Sequence, residues 1–180
     1  MKTSQWGKTL LYTYKYLPRI TESIDKMVNQ AALNSFYYCS NNQKDNSVYV
    51  VSDKIAELIK RKSRLVNIKV LVDKSLLACE KLSGQILVEK YIDNESSEEI
   101  AQKHNLNVRT YFRKLEAAET NFYSNMVKNG FDEKKLNDYL IEEKWIIEVF
   151  QNFSKQENVL EDFSDTPKDK GLADKAEKYA

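Results

Sequence analysis

From Arg109 to Lys114 the chain reads Arg-Thr-Tyr-Phe-Arg-Lys, three cations and a threonine hydroxyl within six residues. Guanidinium and ammonium groups neutralise phosphates, and arginine also hydrogen-bonds base edges in a groove. On the outer side of a helix, Arg109, Thr110, Phe112, Arg113 and Lys114 therefore suit phosphate anchoring and base reading on duplex DNA. A second concentration of positive charge lies between Lys54 and Lys74, with seven basic residues against two acidic ones. Lys60, Arg61, Lys62 and Arg64 are its centre. They are candidates for phosphate contact, while the plain alternative is the solvated face of a helical hairpin.

Other reactive residue types are thinly spread. His104 is the sole histidine, and Cys39 and Cys79 have no Cys or His nearby at metal-ligand spacing. The pairs Glu98-Glu99 and Glu142-Glu143 are adjacent, and adjacent helical residues diverge by about 100°, so neither pair converges on one site. They read as solvent or cap charges. No glycine-rich phosphate loop or nucleophile elbow occurs. The expectation is a protein that is not an enzyme and uses no cofactor or metal.

The elements that must position Arg109 to Lys114 can be built from packing. Ser96 or Ser97 caps a first helix, with Glu98 and Glu99 in its first turn opposing the macrodipole. Ile100 supplies core, and Ala101 is small where a second helix must cross closely. Four residues on, a tight turn needs positive φ. Asn105 tolerates that conformation next best after glycine. Leu106 then plugs the core and Asn107 caps the second helix, whose Val108, Tyr111, Leu115, Ala118 and Phe122 recur at helical spacing. This is the plan of a helix-turn-helix, in which the second helix projects into the major groove. The competing reading is a plain bundle of short helices joined by an Asn-Leu-Asn turn.

The run Tyr91-Ile-Asp-Asn-Glu-Ser-Ser-Glu-Glu-Ile-Ala, followed by Asn105-Leu-Asn-Val-Arg-Thr and Leu115, resembles the fourth conserved region of bacterial sigma factors, with its preceding helix at Lys81 to Tyr91. The layout is also similar to that of small Gram-positive phage and prophage transcription regulators. The resemblance covers about forty residues. It implies promoter reading by Arg109, Thr110, Phe112 and Arg113, phosphate contact by Lys114, and RNA polymerase as a partner. No segment resembles the second conserved region, which grips polymerase. From Lys81 to Glu119 six basic residues face seven acidic ones. A net charge of −1 predicts weak unaided DNA affinity, because nonspecific binding is mostly phosphate neutralisation.

The rest of the chain frames this module. Only 4 Gly and 2 Pro in 180 residues, with Lys, Glu, Leu and Ile abundant, predict an all-α fold. Leu10, Tyr14, Leu17, Ile20, Ile24, Met27 and Val28 follow a helical period that Pro18 kinks or restarts. Residues 41–47 read as a loop. A long amphipathic helix then opens at Ser52 and runs to about Cys79, giving an N-terminal helical hairpin over residues 1–80. The helix-turn-helix occupies 81–128, an amphipathic C-terminal helix 129–153, and a charged tail expected to be disordered 154–180. Leu136, Tyr139, Trp145, Ile146, Phe150 and Phe153 on that C-terminal helix read as core, or alternatively as an oligomer seam. The formal charge of +1 does not announce a polyanion-binding protein, and the lack of a secretory signal or spanning run predicts a cytoplasmic chain with no membrane role. A homo-oligomeric assembly protein, such as a phage DNA-packaging small subunit, is the alternative to a regulator.

Overall fold

The computed structural model describes the backbone of residues 5–40 and 46–164, and side chains within 5–35 and 49–155. Among these residues the fold is all-α, without a strand. In order come α1 (Gln5–Tyr14), α2 (Leu17–Ser40), α3 (Asn46–Leu77), α4 (Lys81–Leu87), one π-helical turn (Val88–Ile92), α5 (Ser97–Lys103), α6 (Val108–Lys128), α7 (Glu133–Leu140) and α8 (Lys144–Ser164). No helix among the described residues is long and apolar enough to cross a membrane.

Pro18 acts as its chemistry requires. The helix stops after Tyr14 and restarts at Leu17, which puts the proline in the first turn of α2, where an amide proton has no intrahelical acceptor in any case. Within α1, Thr9 and Thr13 are fully buried, and their hydroxyls donate to the carbonyls of Gln5 and Thr9 at 2.8 Å. α2 and α3 pack antiparallel. Lys62 Nζ of α3 reaches Asp25 of α2 at 2.6 Å, and Tyr14 Oη, at the end of α1, donates to Asp73 Oδ1 of α3 at 2.5 Å.

Several boundaries differ from the sequence expectation. α3 begins at Asn46, so Ser52 lies inside it and does not cap it; of the expected loop, residues 41–45 lie outside the described set. The single C-terminal helix is in fact two, divided at residues 141–143, where the Glu143 carbonyl accepts from the amides of Ile146 and Ile147 and so opens α8. Continuing past Phe153, α8 reaches Ser164, so the expected tail is helical for its first part; residues 165–180 lie outside the described set.

All eight α-helices of the described residues feed one core. Trp6, Leu10, Leu17, Ile24, Leu65, Ile68, Val72, Ile86, Leu87, Ile100, Tyr111, Phe122, Met126, Leu136, Leu140 and Ile146 form a continuous buried cluster. The expected segments 1–80, 81–128 and 129–153 thus share a single interior. The aromatic residues of α8 serve it: the Phe150 ring stacks on Trp6 with centroids 4.4 Å apart, and Phe153 meets Tyr12 edge-on at 5.9 Å.

Candidate nucleic-acid interface

The site is built from α5, its turn and the start of α6. Ser96 closes a capping box at the head of α5: its hydroxyl accepts from the Glu99 amide at 3.2 Å, while the Glu99 carboxylate accepts from the Ser96 amide at 2.9 Å. That backbone donor, with help from the Ser96 side chain, holds the Glu99 carboxyl below its usual range. Two otherwise unpaired donors of the first turn are satisfied reciprocally.

The far end of α5 is a Schellman turn. Asn105 takes φ 53°, the Leu106 amide donates to the Ala101 carbonyl at 2.8 Å, and the Asn105 amide donates to Gln102 at 3.0 Å. Asn107 then opens α6 by accepting from the Thr110 amide at 2.7 Å. The cap, the left-handed residue and the second cap fall where the sequence puts them, and Ile100 and Ala101 are buried against α6.

On α6, Tyr111, Leu115, Ala118, Phe122 and Met126 face the core. Val108, expected among them, is 47% exposed, because it occupies the first position of the helix, ahead of the packed turns. The opposite side presents Arg109, Phe112 and Arg113 to solvent, with Thr110 and Lys114 half-buried at its edges. Asn107, Arg109, Thr110 and Arg113 line a shallow depression of about 290 Å³. Phe112 leaves about half its surface in water, its ring 5.2 Å from that of Tyr111. An exposed aromatic ring flanked by two guanidinium groups can contact thymine methyls and phosphates together.

Behind the turn lies a charged clamp that residue types and spacing do not signal. One oxygen of Glu89 sits 2.7 Å from His104 Nε2, and the other is 2.8 Å from Lys103 Nζ, which also reaches Glu95 at 3.2 Å. Burial pushes the Glu89 carboxyl up, but hydrogen bonds from Lys103 and His104 outweigh it and leave it below its usual range. The π-helical turn, in which the Asp93 amide donates to Val88 at 3.0 Å, carries Glu89 into this position. His104 is therefore a packing residue that ties α5 to the preceding helix.

The second basic cluster is largely engaged within the fold. Arg61 grips Glu143 through Nε and Nη2, both at 2.9 Å, and Arg64 pairs with Glu142. Lys62 is paired with Asp25. Three of the four expected phosphate contacts are thus held by carboxylates of α2 and of the α7–α8 junction, and only Lys60 is turned fully outward. Glu143, expected to be a solvent or cap charge, is completely buried and also accepts from the Trp145 indole at 3.1 Å. Cys79 is a free thiol bonded to the Ser75 carbonyl at 3.2 Å, and burial raises its pKa. The side chain of Cys39 lies outside the described set.

Compared with protein-family models, curated proteins and solved structures, the chain finds no match.

Proposed function

We propose that the chain is a DNA-binding transcription regulator of the sigma-region-four-like type, laying the first two turns of α6 into the major groove. One observation carries the reading. Arg109 and Arg113 stand one turn apart on the exposed face of α6, immediately after a capped tight turn, and neither is bonded to a carboxylate among the described residues. Two such guanidinium groups have no packing use, and their spacing matches phosphate and base-edge contacts along one groove wall.

In this reading Arg109 and Arg113 contact base edges or phosphates, Thr110 and Lys114 hold the backbone, and Phe112 offers an apolar contact. Because Arg61, Lys62 and Arg64 are engaged within the fold, Lys60 is the one member of the second cluster left for phosphate. Unaided affinity is then low, which favours RNA polymerase as a second partner.

The test is chromatin immunoprecipitation from the native host, followed by anisotropy titration on the enriched fragments. Arg109→Ala with Arg113→Ala abolishes binding while the helical circular dichroism is retained. Binding that survives the double substitution would sink the reading.

A further inference from the structure

The outward side of α3 carries an apolar strip that the other described residues leave uncovered. Ile59, Val66, Val70 and Leu77 are exposed, from 39% at Val66 to 86% at Leu77, and no role in the core or in the α6 site accounts for them. Ile59 and Leu77 are five full turns apart at 3.6 residues per turn, so they lie on one line along the helix, with Val66 and Val70 within about 20° of it. Exposed Ser52, Ala56 and Ser63 extend the same face with small side chains. Leu65, Ile68 and Val72 fill the opposite, buried face.

The spacing of the four residues is seven, four, seven, and reads the same in both directions. A two-fold axis passing α3 near Ile68 therefore sets Ile59 against Leu77 of a second copy, and Val66 against its Val70. Self-complementarity of this kind is what an isologous interface demands, and an unrelated partner imposes no such symmetry. The flanking charges fit the same register. On the edge shared with α2, Lys62 comes level with Asp73 of the second copy, each already paired within its own chain, so no like charges meet there. On the other edge Lys60 and Lys74 are exposed, and their ammonium groups can turn to solvent while the stems cover apolar surface. The strip has the few-hundred-Å² size of patches that mark interaction sites. Doubled across a pair, and with the stems of Lys60 and Lys74 added, it comes to roughly 1,000 Å², near the lower bound for a specific interface.

We infer that two copies of the chain pair through antiparallel packing of their α3 helices along Ile59, Val66, Val70 and Leu77. The inference stands independently of the DNA-binding reading, since it uses no residue of α5 or α6.

Multi-angle light scattering of the full chain at tens of micromolar gives twice the 21.0 kDa of one chain. Val66→Glu with Val70→Glu returns the mass to one chain with unchanged helical circular dichroism. A monomer at that concentration overturns the inference, whether the strip stays bare or is covered by residues outside the described set. So does a dimer indifferent to the double substitution, or a closed ring of many copies. Should the glutamate variant fail to fold, thiol cross-linking decides in a chain carrying Cys39→Ser and Cys79→Ala. Val66→Cys mixed with Val70→Cys forms a disulfide-linked pair. Cross-linking of Val66→Cys only with itself indicates parallel packing and overturns the antiparallel arrangement.

Discussion

The guanidinium of Arg61 and the carboxylate of Glu143 form a fork across 82 residues of sequence, with Nε and Nη2 each 2.9 Å from a carboxylate oxygen and Glu143 wholly buried. The hydrogen bond to Glu143 raises the arginine's affinity for its proton and outweighs the opposing effect of burial. The pair fixes the α7–α8 junction to the middle of α3, with Arg64 and Trp145 completing the shell.

Removing the carboxylate leaves Arg61 without its partner, while Arg64 keeps Glu142. Glu143→Ala is expected to cost about 2–3 kcal/mol, below the figure for a fully buried pair because the Arg61 side chain is 37% exposed. Urea denaturation reads it as a lowered midpoint at unchanged slope. A shift within error would mean that the fork holds nothing together.

Asn105 is the residue on which the α5–α6 turn depends. At φ 53°, Asn105→Gly should stay within about 0.5 kcal/mol of the parent, since glycine takes this conformation freely. Asn105→Val puts a β-branched side chain in the left-handed region and should lose about 1–2 kcal/mol, with DNA binding falling more than global stability. Thermal melts of the two variants separate these outcomes, and equal melting temperatures would contradict the turn geometry.

Acid should weaken the fold through Asp73 and Glu89. Burial pushes Asp73 up, but hydrogen bonds from Lys69 and Tyr14 and the Lys69 charge overcome it, leaving the carboxyl below its ordinary value of 3.8. Glu89 lies below 4.5 by the same balance with Lys103 and His104. Carboxyls depressed in the folded state contribute stability above their unfolded pKa and lose it as pH falls through the folded value. Denaturation midpoints should therefore be steady near neutrality and decline below about pH 4. Asp73→Asn combined with Glu89→Gln flattens that decline, and an unaltered acid limb would assign it to other groups.

On enriched promoter fragments, Arg113→Ala alone should weaken binding roughly 10- to 100-fold if the guanidinium reads a base edge. If it meets only phosphate, the loss is smaller and the salt-dependence slope falls by about one. Lys62→Ala should leave the slope unchanged, because its ammonium is already bonded to Asp25 at 2.6 Å.

The sequence alone determined the helical class, the restart at Pro18, and the details of the turn from Ser96 to Thr110. Each of these rests on contacts within a few residues: a serine accepting from the amide three positions on, an asparagine in the left-handed region, a second asparagine capping the next helix. Such interactions are complete before any helix meets another, so residue type and spacing suffice to read them. Tertiary structure alone decided which charges remain available. Arg61, Lys62 and Arg64 read equally as phosphate contacts or as a solvated helix face, and it is α2 and the α7–α8 junction that bring Asp25, Glu142 and Glu143 to them. The π-helical turn likewise aimed Glu89 at His104, fifteen residues away, without a compositional signal. Only the docking of α2 and the core against α3 revealed that Ile59, Val66, Val70 and Leu77 stay on the outside. An amphipathic period states that a helix has an apolar face, whereas the number of faces that find cover depends on where the other helices pack.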